Sequence, residues 1–183
     1  MRIALVFLLL SQDKPVKLRF DVQHMPADLK GKPRPLKPEE IRDFEAELKT
    51  LGGVKDALCS ESTATVTLTG EAPFKLSELR MAGKKTLGTD AGKPVIVFNT
   101  IRLEGRVALT LHVEKNPEKV KDALKAYGEI LGESGETYEL KLKTAVPVLN
   151  VVKAVCAKTG ADYQIFQILK DIHWLPPLKE PPK

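Results

Sequence analysis

A histidine and a methionine stand side by side at the start of a long loop, just after a segment in which apolar and polar residues alternate. The imidazole of His24 and the thioether of Met25 are both ligand groups for soft metal ions such as copper. The loop that follows is basic and proline-rich between Lys30 and Lys37, and it contains no cysteine. His24 and Met25 are therefore the candidate metal ligands. The alternative is a plain connection, in which Met25 closes the core and His24 is a loop residue.

The other chemically active side chains do not form a recognisable catalytic set. His112 and His173 are the remaining histidines, and the two cysteines, Cys59 and Cys156, are far apart without C-x-x-C spacing. Cys59 is predicted in a strand and Cys156 on an apolar helix face, both as small buried side chains. No phosphate-binding glycine motif is present. The sequence predicts a protein that is not an enzyme and has no cofactor beyond a weakly bound copper ion.

Length and composition fit one ordinary globular domain or two small ones. Of 183 residues, 43% are hydrophobic and 29% charged, and the formal net charge is +5. The positive excess is spread along the chain, whereas a nucleic-acid interface gathers it on one face. We therefore expect a solvated surface and no nucleic-acid partner.

The chain opens with a short apolar run that favours export. Arg2 precedes an apolar stretch over residues 3–10. It is too short for a membrane-spanning helix, which takes about 20 residues, but it reaches the range of a secretory signal, roughly 7–15 residues. Residues 1–11 are thus interpreted as a signal peptide or N-terminal anchor of a secreted, periplasmic or cell-envelope protein. A buried strand in a cytoplasmic protein is the alternative, and neither includes a spanning segment.

The elements that would position the His24 loop follow from apolar periodicity. Residues 16–23 alternate strictly, which is typical of a half-buried strand. Pro38 begins a helix with one apolar stripe, and Gly52 and Gly53 end it. The stripe consists of Ile41, Phe44, Leu48 and Leu51. Further strands are predicted over 54–60, 63–69 and 94–104, and a helix over 74–85.

The same order of elements then recurs. A strand ends near 113, Asn116 is expected to cap a helix starting at Pro117, and strands follow over 129–131 and 138–142. A second helix over 149–160 and a last strand over 161–169 complete the unit, and His173 and Trp174 open a proline-rich tail. The pattern βαββαβ, twice, predicts an α+β protein of two tandem ferredoxin-like units with antiparallel sheets and two helices each, at 14–104 and 105–170, with the tail at 171–183.

The first unit resembles the heavy-metal-associated domain of copper chaperones and metal-pumping ATPases. Its phrase LKTLGGV matches that family's Leu-x-x-Leu-x-Gly-Val at Leu48, Leu51, Gly53 and Val54. The second unit is similar in ALKAYGEILGESGETYELKLK and VLNVVKAVCAKTGADYQIFQI, so the resemblance covers most of 16–169. The family binds Cu(I) through a Met-x-Cys-x-x-Cys loop. Met25 occupies the methionine position here, but the cysteines are absent, and the second loop, 114–116, has no sulfur.

Two other chemistries use this order of elements. Acylphosphatases need an arginine in a glycine-rich cradle and an asparagine on a later strand; Arg34 and Asn99 exist, but Arg34 is flanked by prolines. RNA-recognition modules expose aromatic residues on the sheet, whereas Phe20 and Tyr138 fall on the predicted core-facing set. Neither chemistry is favoured.

The leading functional expectation is a non-enzymatic binding or interaction module at the cell envelope, in which both metal loops are degenerate. It would meet a protein partner through a sheet surface or an edge strand. The alternative is low-affinity copper binding or metal handling through His24 and Met25. The sequence sets no oligomeric state.

Overall fold

A computed structural model describes residues 15–26, 31–80, 94–162 and 165–178. The interpretation of residues 1–11 therefore lies outside the described residues. The fold is α+β, as predicted, with two antiparallel five-stranded sheets. In the described part of the chain, no helix has the length and apolarity needed to cross a membrane.

The first half of the chain supplies five strands and two helices. In order these are β1 (Lys17–His24), α1 (Pro38–Lys49), β2 (Val54–Cys59), β3 (Thr63–Leu68), β4 (Phe74–Lys75), α2 (described over 76–80) and β5 (Pro94–Leu103).

The second half repeats this order with shorter early helices. Its elements are β6 (Arg106–Leu111), a 3-10 turn (Pro117–Lys119) leading into α3 (Val120–Leu124), β7 (Gly128–Ser134), β8 (Thr137–Leu142), β9 (Val146–Pro147), α4 (Val148–Thr159), α5 (Ile165–Ile168) and β10 (Leu169–Trp174).

The two sheets exchange one short strand each. The first sheet has the order β2-β3-β1-β5-β9, and the second has the order β4-β10-β6-β8-β7. Thus β9, from the second half, pairs with β5 through Arg102 and Leu103, while β4, from the first half, pairs with β10 through Phe74 and Lys75. Each exchanged strand pairs with two residues of its neighbour. The opposite edges of the two sheets are β2 and β7, which we call the outer edges.

Alternation along the strands builds the core. On β1 the buried residues are Leu18, Phe20 and Val22, and on α1 they are Phe44 and Leu48, as the periodicity predicted. All belong to one hydrophobic cluster that spans both sheets. Removing such side chains from water is the main stabilising contribution to a fold of this kind. Trp174 and Phe74 close the cluster at the exchanged strand, with ring centroids 6.1 Å apart.

Several predicted elements were wrong in type or extent. The last strand is β10 rather than 161–169, since residues 165–168 form a short helix, so His173 and Trp174 lie in the sheet and not in the tail. The strand predicted over 129–131 extends through the glycine at 132 to Ser134 as β7. Asn116 does not cap its helix; it has a φ of 48°, and its side-chain amide donates to the carbonyl of Thr159 at the end of α4.

Candidate functional site

The predicted metal loop is closed by its backbone. His24 and Arg34 exchange two hydrogen bonds, N–H to carbonyl, at 2.8 and 3.1 Å. Together they form an isolated antiparallel bridge at the end of β1. The loop that begins at Met25 is therefore pinned at its base, and Arg34 is brought next to the first turn of α1.

Glu40, in that first turn, contacts the side chains of His24 and Arg34 and the backbone of Lys37. The Arg34 guanidinium donates two hydrogen bonds to its carboxylate, each 2.9 Å long, and the backbone N–H of Lys37 donates a third at 2.7 Å. The Nδ1 atom of His24 lies 2.7 Å from Glu40 Oε1. Hydrogen bonding by Arg34, followed by that from Lys37, lowers the pKa of Glu40 to about 2. Glu40 is thus a carboxylate throughout the physiological pH range.

The candidate ligand groups of the loop lie against neighbours within the protein. His24 Nδ1 is buried 2.7 Å from Glu40 Oε1 without a hydrogen bond, and the sulfur of Met25 accepts a hydrogen bond from Gln23 Nε2 at 3.6 Å. The Arg34 guanidinium is engaged by Glu40 rather than turned into a phosphate cradle. The metal site at His24 and Met25 stays a prediction.

The other histidines and the cysteines are dispersed over different elements. Nδ1 of His112 lies 2.6 Å from Glu136 Oε1, and that carboxylate raises the pKa of the imidazole. His173 Nε2 pairs with Asp171 at 2.9 Å on β10. Burial raises the pKa of Cys59 to about 12 and also raises that of Cys156. Within the described ranges, no group of three or more His, Cys, Asp or Glu could hold a metal ion.

The two outer edges are the other candidate surfaces, and their hairpins are alike. Ser60 donates its N–H to Thr63 across a two-residue turn, and Ser134 faces Thr137 across a second one. Residues flanking such a turn exchange their hydrogen bonds, and the strand alternates from there. The residue before each serine, Cys59 on β2 and Glu133 on β7, must therefore direct its backbone N–H away from the sheet.

On β2 the outward N–H groups have acceptors within the molecule. Cys59 donates to Glu45 Oε2 on α1 at 3.0 Å, and Ala57 donates to the Asp56 carboxylate at 2.9 Å. The ammonium of Lys49 joins the two acceptors, at 2.8 Å from Glu45 and 3.5 Å from Asp56. The edge of the first sheet is thus covered by carboxylates, and a further strand would have to displace them.

On β7 the outward backbone has no such cover. Lys121 of α3 forms an ion pair with the side chain of Glu133. A lysine only donates hydrogen bonds, so it cannot accept one from the Glu133 N–H. In the described part of the chain, no side chain accepts a hydrogen bond from a backbone N–H of β7. The strand carries a bulge between Ile130 and Gly132 and exposes Glu129 and Glu133.

Sequence reasoning found the loop but missed its closure, and it located neither edge. Glu40 stands three residues after Lys37, which is the spacing of the glutamate in a capping box. Lys37 is not the serine or threonine of that motif, so only the spacing could have indicated that the Glu40 carboxylate turns back. Nothing in the sequence indicates that Glu45 reaches Cys59, because that contact depends on how α1 crosses β2.

Comparison with known proteins gives no further guidance: no protein-family model matches the chain, and no curated protein matches it.

Proposed function

We propose that this protein is a non-enzymatic interaction module that meets a protein partner through the edge of a sheet. One observation carries the proposal: the backbone N–H of Glu133 points away from the second sheet with no intramolecular acceptor among the described residues, whereas the equivalent N–H of Cys59 has one. An unpaired edge is a ready template for another chain.

We further infer that each half of the chain is a ferredoxin-like unit. In the first sheet β3 lies between β1 and β2, and in the second β8 lies between β6 and β7. A third strand placed between the two strands of a βαβ segment is the split arrangement of that topology. The same order supports the resemblance to heavy-metal-associated domains, which we keep as a proposal, together with the assignment of the chain to the cell envelope.

The state of the reactive side chains supports a role without catalysis. The described histidines are each held against a carboxylate in a different part of the fold. The thiolate is the reactive form of cysteine, and a pKa of about 12 keeps Cys59 a thiol at neutral pH. A general base, a nucleophile and an orienting group therefore do not converge among these residues.

The proposal is tested by crosslinking from matched positions on the two edges. A photoreactive amino acid replaces Leu131 on β7 in one variant and Leu58 on β2, which is 63% exposed, in the other. Each is irradiated in extract of the cells that make the protein. We expect an adduct with another polypeptide from position 131, competed by unlabelled wild-type protein. No adduct from position 131, or equal adducts from both positions, would contradict the proposal.

A further inference from the structure

Resting on that proposed function, we propose that β7 takes up a basic, extended segment of a partner protein as the next strand of the second sheet. The juxtaposition that points to it is an uncovered strand edge flanked by two exposed glutamates, Glu129 and Glu133.

The first step is the backbone. β7 has seven residues, from Gly128 to Ser134, and it is hydrogen-bonded to a neighbour on one side only. Strand addition to such an edge draws its affinity from main-chain hydrogen bonds. On the corresponding edge, β2, strand addition is blocked because Glu45 and Asp56 already accept hydrogen bonds from its outward N–H groups. Of the two outer edges, β7 is therefore the one that can take up a further strand.

The second step excludes a second copy of this chain as the natural occupant. Two β7 strands paired with each other would each carry the bulge between Ile130 and Gly132, so the outward hydrogen-bonding groups of the two copies would not form one regular register. A bulge is one of the devices by which natural edges avoid self-association. An extended peptide carries no bulge of its own.

The third step is the charge of the occupant. Glu133 uses its Oε2 atom for Lys121 and retains Oε1, and a carboxylate accepts several hydrogen bonds. Glu129 is exposed and faces Lys141 only on its inner side, across β8. Because of the bulge, Glu129 lies on the face of Lys141 and Glu133 on the opposite face, with Tyr138 and Lys121. A strand on the outer side meets one carboxylate on each face, so lysine or arginine on both of its faces is favoured and acidic residues are not.

The experiment uses the full chain with two synthetic peptides as long as β7, one that repeats Lys-Lys-Val and one that repeats Glu-Glu-Val, so that charged residues fall on both faces of the added strand. Binding is followed by fluorescence anisotropy and located by amide chemical-shift changes. We expect the lysine peptide to bind more tightly, with shifts in β7 and β8 rather than in β2. A Glu129→Lys/Glu133→Lys variant should lose about tenfold in affinity for the lysine peptide, since two exposed ion pairs are removed. It should gain affinity for the glutamate peptide.

The matched control is Glu71→Lys/Glu104→Lys, which makes the same change in net charge at exposed positions away from the edge. Equal binding of the two peptides, an effect of the control as large as that of the β7 variant, or shifts centred on β2 would overturn the basic occupant. So would a Glu133 amide already protected from hydrogen exchange in the free protein. Protection that is independent of protein concentration would assign the edge to another segment of this chain, and protection that rises with concentration would assign it to a second copy.

The two proposals fail separately. A position-131 adduct combined with no preference between the peptides leaves the interaction module in place and removes the basic occupant. Charge-dependent peptide binding at β7 without any adduct leaves the surface chemistry in place and removes the proposed function.

Discussion

Cys59 and Glu133 hold the same place in two similar hairpins, one residue before the serine that flanks a two-residue turn. The N–H of Cys59 donates to Glu45 of α1. Among the described residues, no side chain accepts a hydrogen bond from the Glu133 N–H, and Lys121 of α3 forms its ion pair with the Glu133 carboxylate. The helices explain the difference. α1 has twelve residues and packs against β2, while α3 has five residues after a 3-10 turn.

This difference shows that a strand edge is protected by the helix beside it as much as by its own sequence. A helix of three turns can place one carboxylate at its start, Glu40, and another a turn and a half later, Glu45. The first fixes the loop and the second fixes the edge. A helix of little more than one turn reaches the edge with a single side chain.

The largest expected effect on stability comes from a substitution that forces β7 away from β8. An added Cβ at Gly128 would run into the backbone of Lys141 on β8, whereas at Gly132 it would meet the Cβ of Glu139 at 4.0 Å, an ordinary contact. We expect Gly128→Ala to lower the free energy of unfolding by about 3 kcal/mol, as overpacking does, and Gly132→Ala to leave it nearly unchanged. Urea denaturation of both variants checks this. Equal stability would mean that β7 is not held tightly against β8.

The next effect concerns the anchor of α1. Glu40→Ala removes three charge-assisted hydrogen bonds and leaves His24 and Arg34 without their shared carboxylate. We expect a loss of about 2 kcal/mol at neutral pH, from the range for hydrogen bonds to charged groups. Glu39→Ala, at the exposed neighbouring position, is the control. A similar loss in both variants would indicate a general helix-dipole effect rather than the Glu40 network.

The same contribution should depend on pH in a fixed direction. Because folding lowers the pKa of Glu40 from an ordinary 4.5 to about 2, the unfolded chain takes up the proton first as the pH falls. The stability difference between wild type and Glu40→Ala should be complete above pH 4.5 and should shrink between pH 4.5 and pH 2. A difference that grows over this interval would show that the carboxylate is not stabilised in the folded state.

A smaller change should convert the protected edge into an open one. Glu45→Ala leaves the Cys59 N–H without its acceptor, and we expect a loss of about 1 kcal/mol. In native-state hydrogen exchange, the Cys59 amide should then exchange as fast as that of Glu133. Glu45→Gln, which keeps an acceptor oxygen, should restore part of the protection, and Glu47→Ala on the same helix is the control. An unchanged Cys59 amide would remove the basis of the comparison between β2 and β7.

Much of this architecture could be predicted from periodicity, because burial imposes it locally. The alternation of β1 and the stripe on α1 both follow from which residues must leave water. The strands β4 and β9 could not be predicted in this way. They have two residues each and are defined by their partners in the other half of the chain, which no local pattern reveals. Trp174 was missed for a different reason: residues 165–168 form a short helix, so the strand that pairs with β6 begins at Leu169 and reaches Trp174.

The candidate sites show the same limit: the sequence predicts the chemistry of their residues but not the distant residues that contact them. The chemistry of His24 and Met25 can be predicted from residue type alone, but the carboxylate against which His24 is buried comes from sixteen residues further along the chain. The contact between Glu45 and Cys59 has a similar separation. Side-chain type indicates what a residue can bind, whereas the crossing of helix and strand determines whether a neighbour already binds it.

The smallest expected effect concerns metal binding by the loop before α1. Cu(I) is titrated against a competing chelator into the wild type and into His24→Ala/Met25→Ala. We expect equal, weak uptake by both, because His24 Nδ1 is buried against Glu40 and no thiolate lies in the loop. Tight uptake that the double variant loses would establish a metal site at His24 and Met25. It would also change the comparison of the edges, because an ion bound by the imidazole would compete with Glu40 and disturb the loop that anchors α1 beside β2.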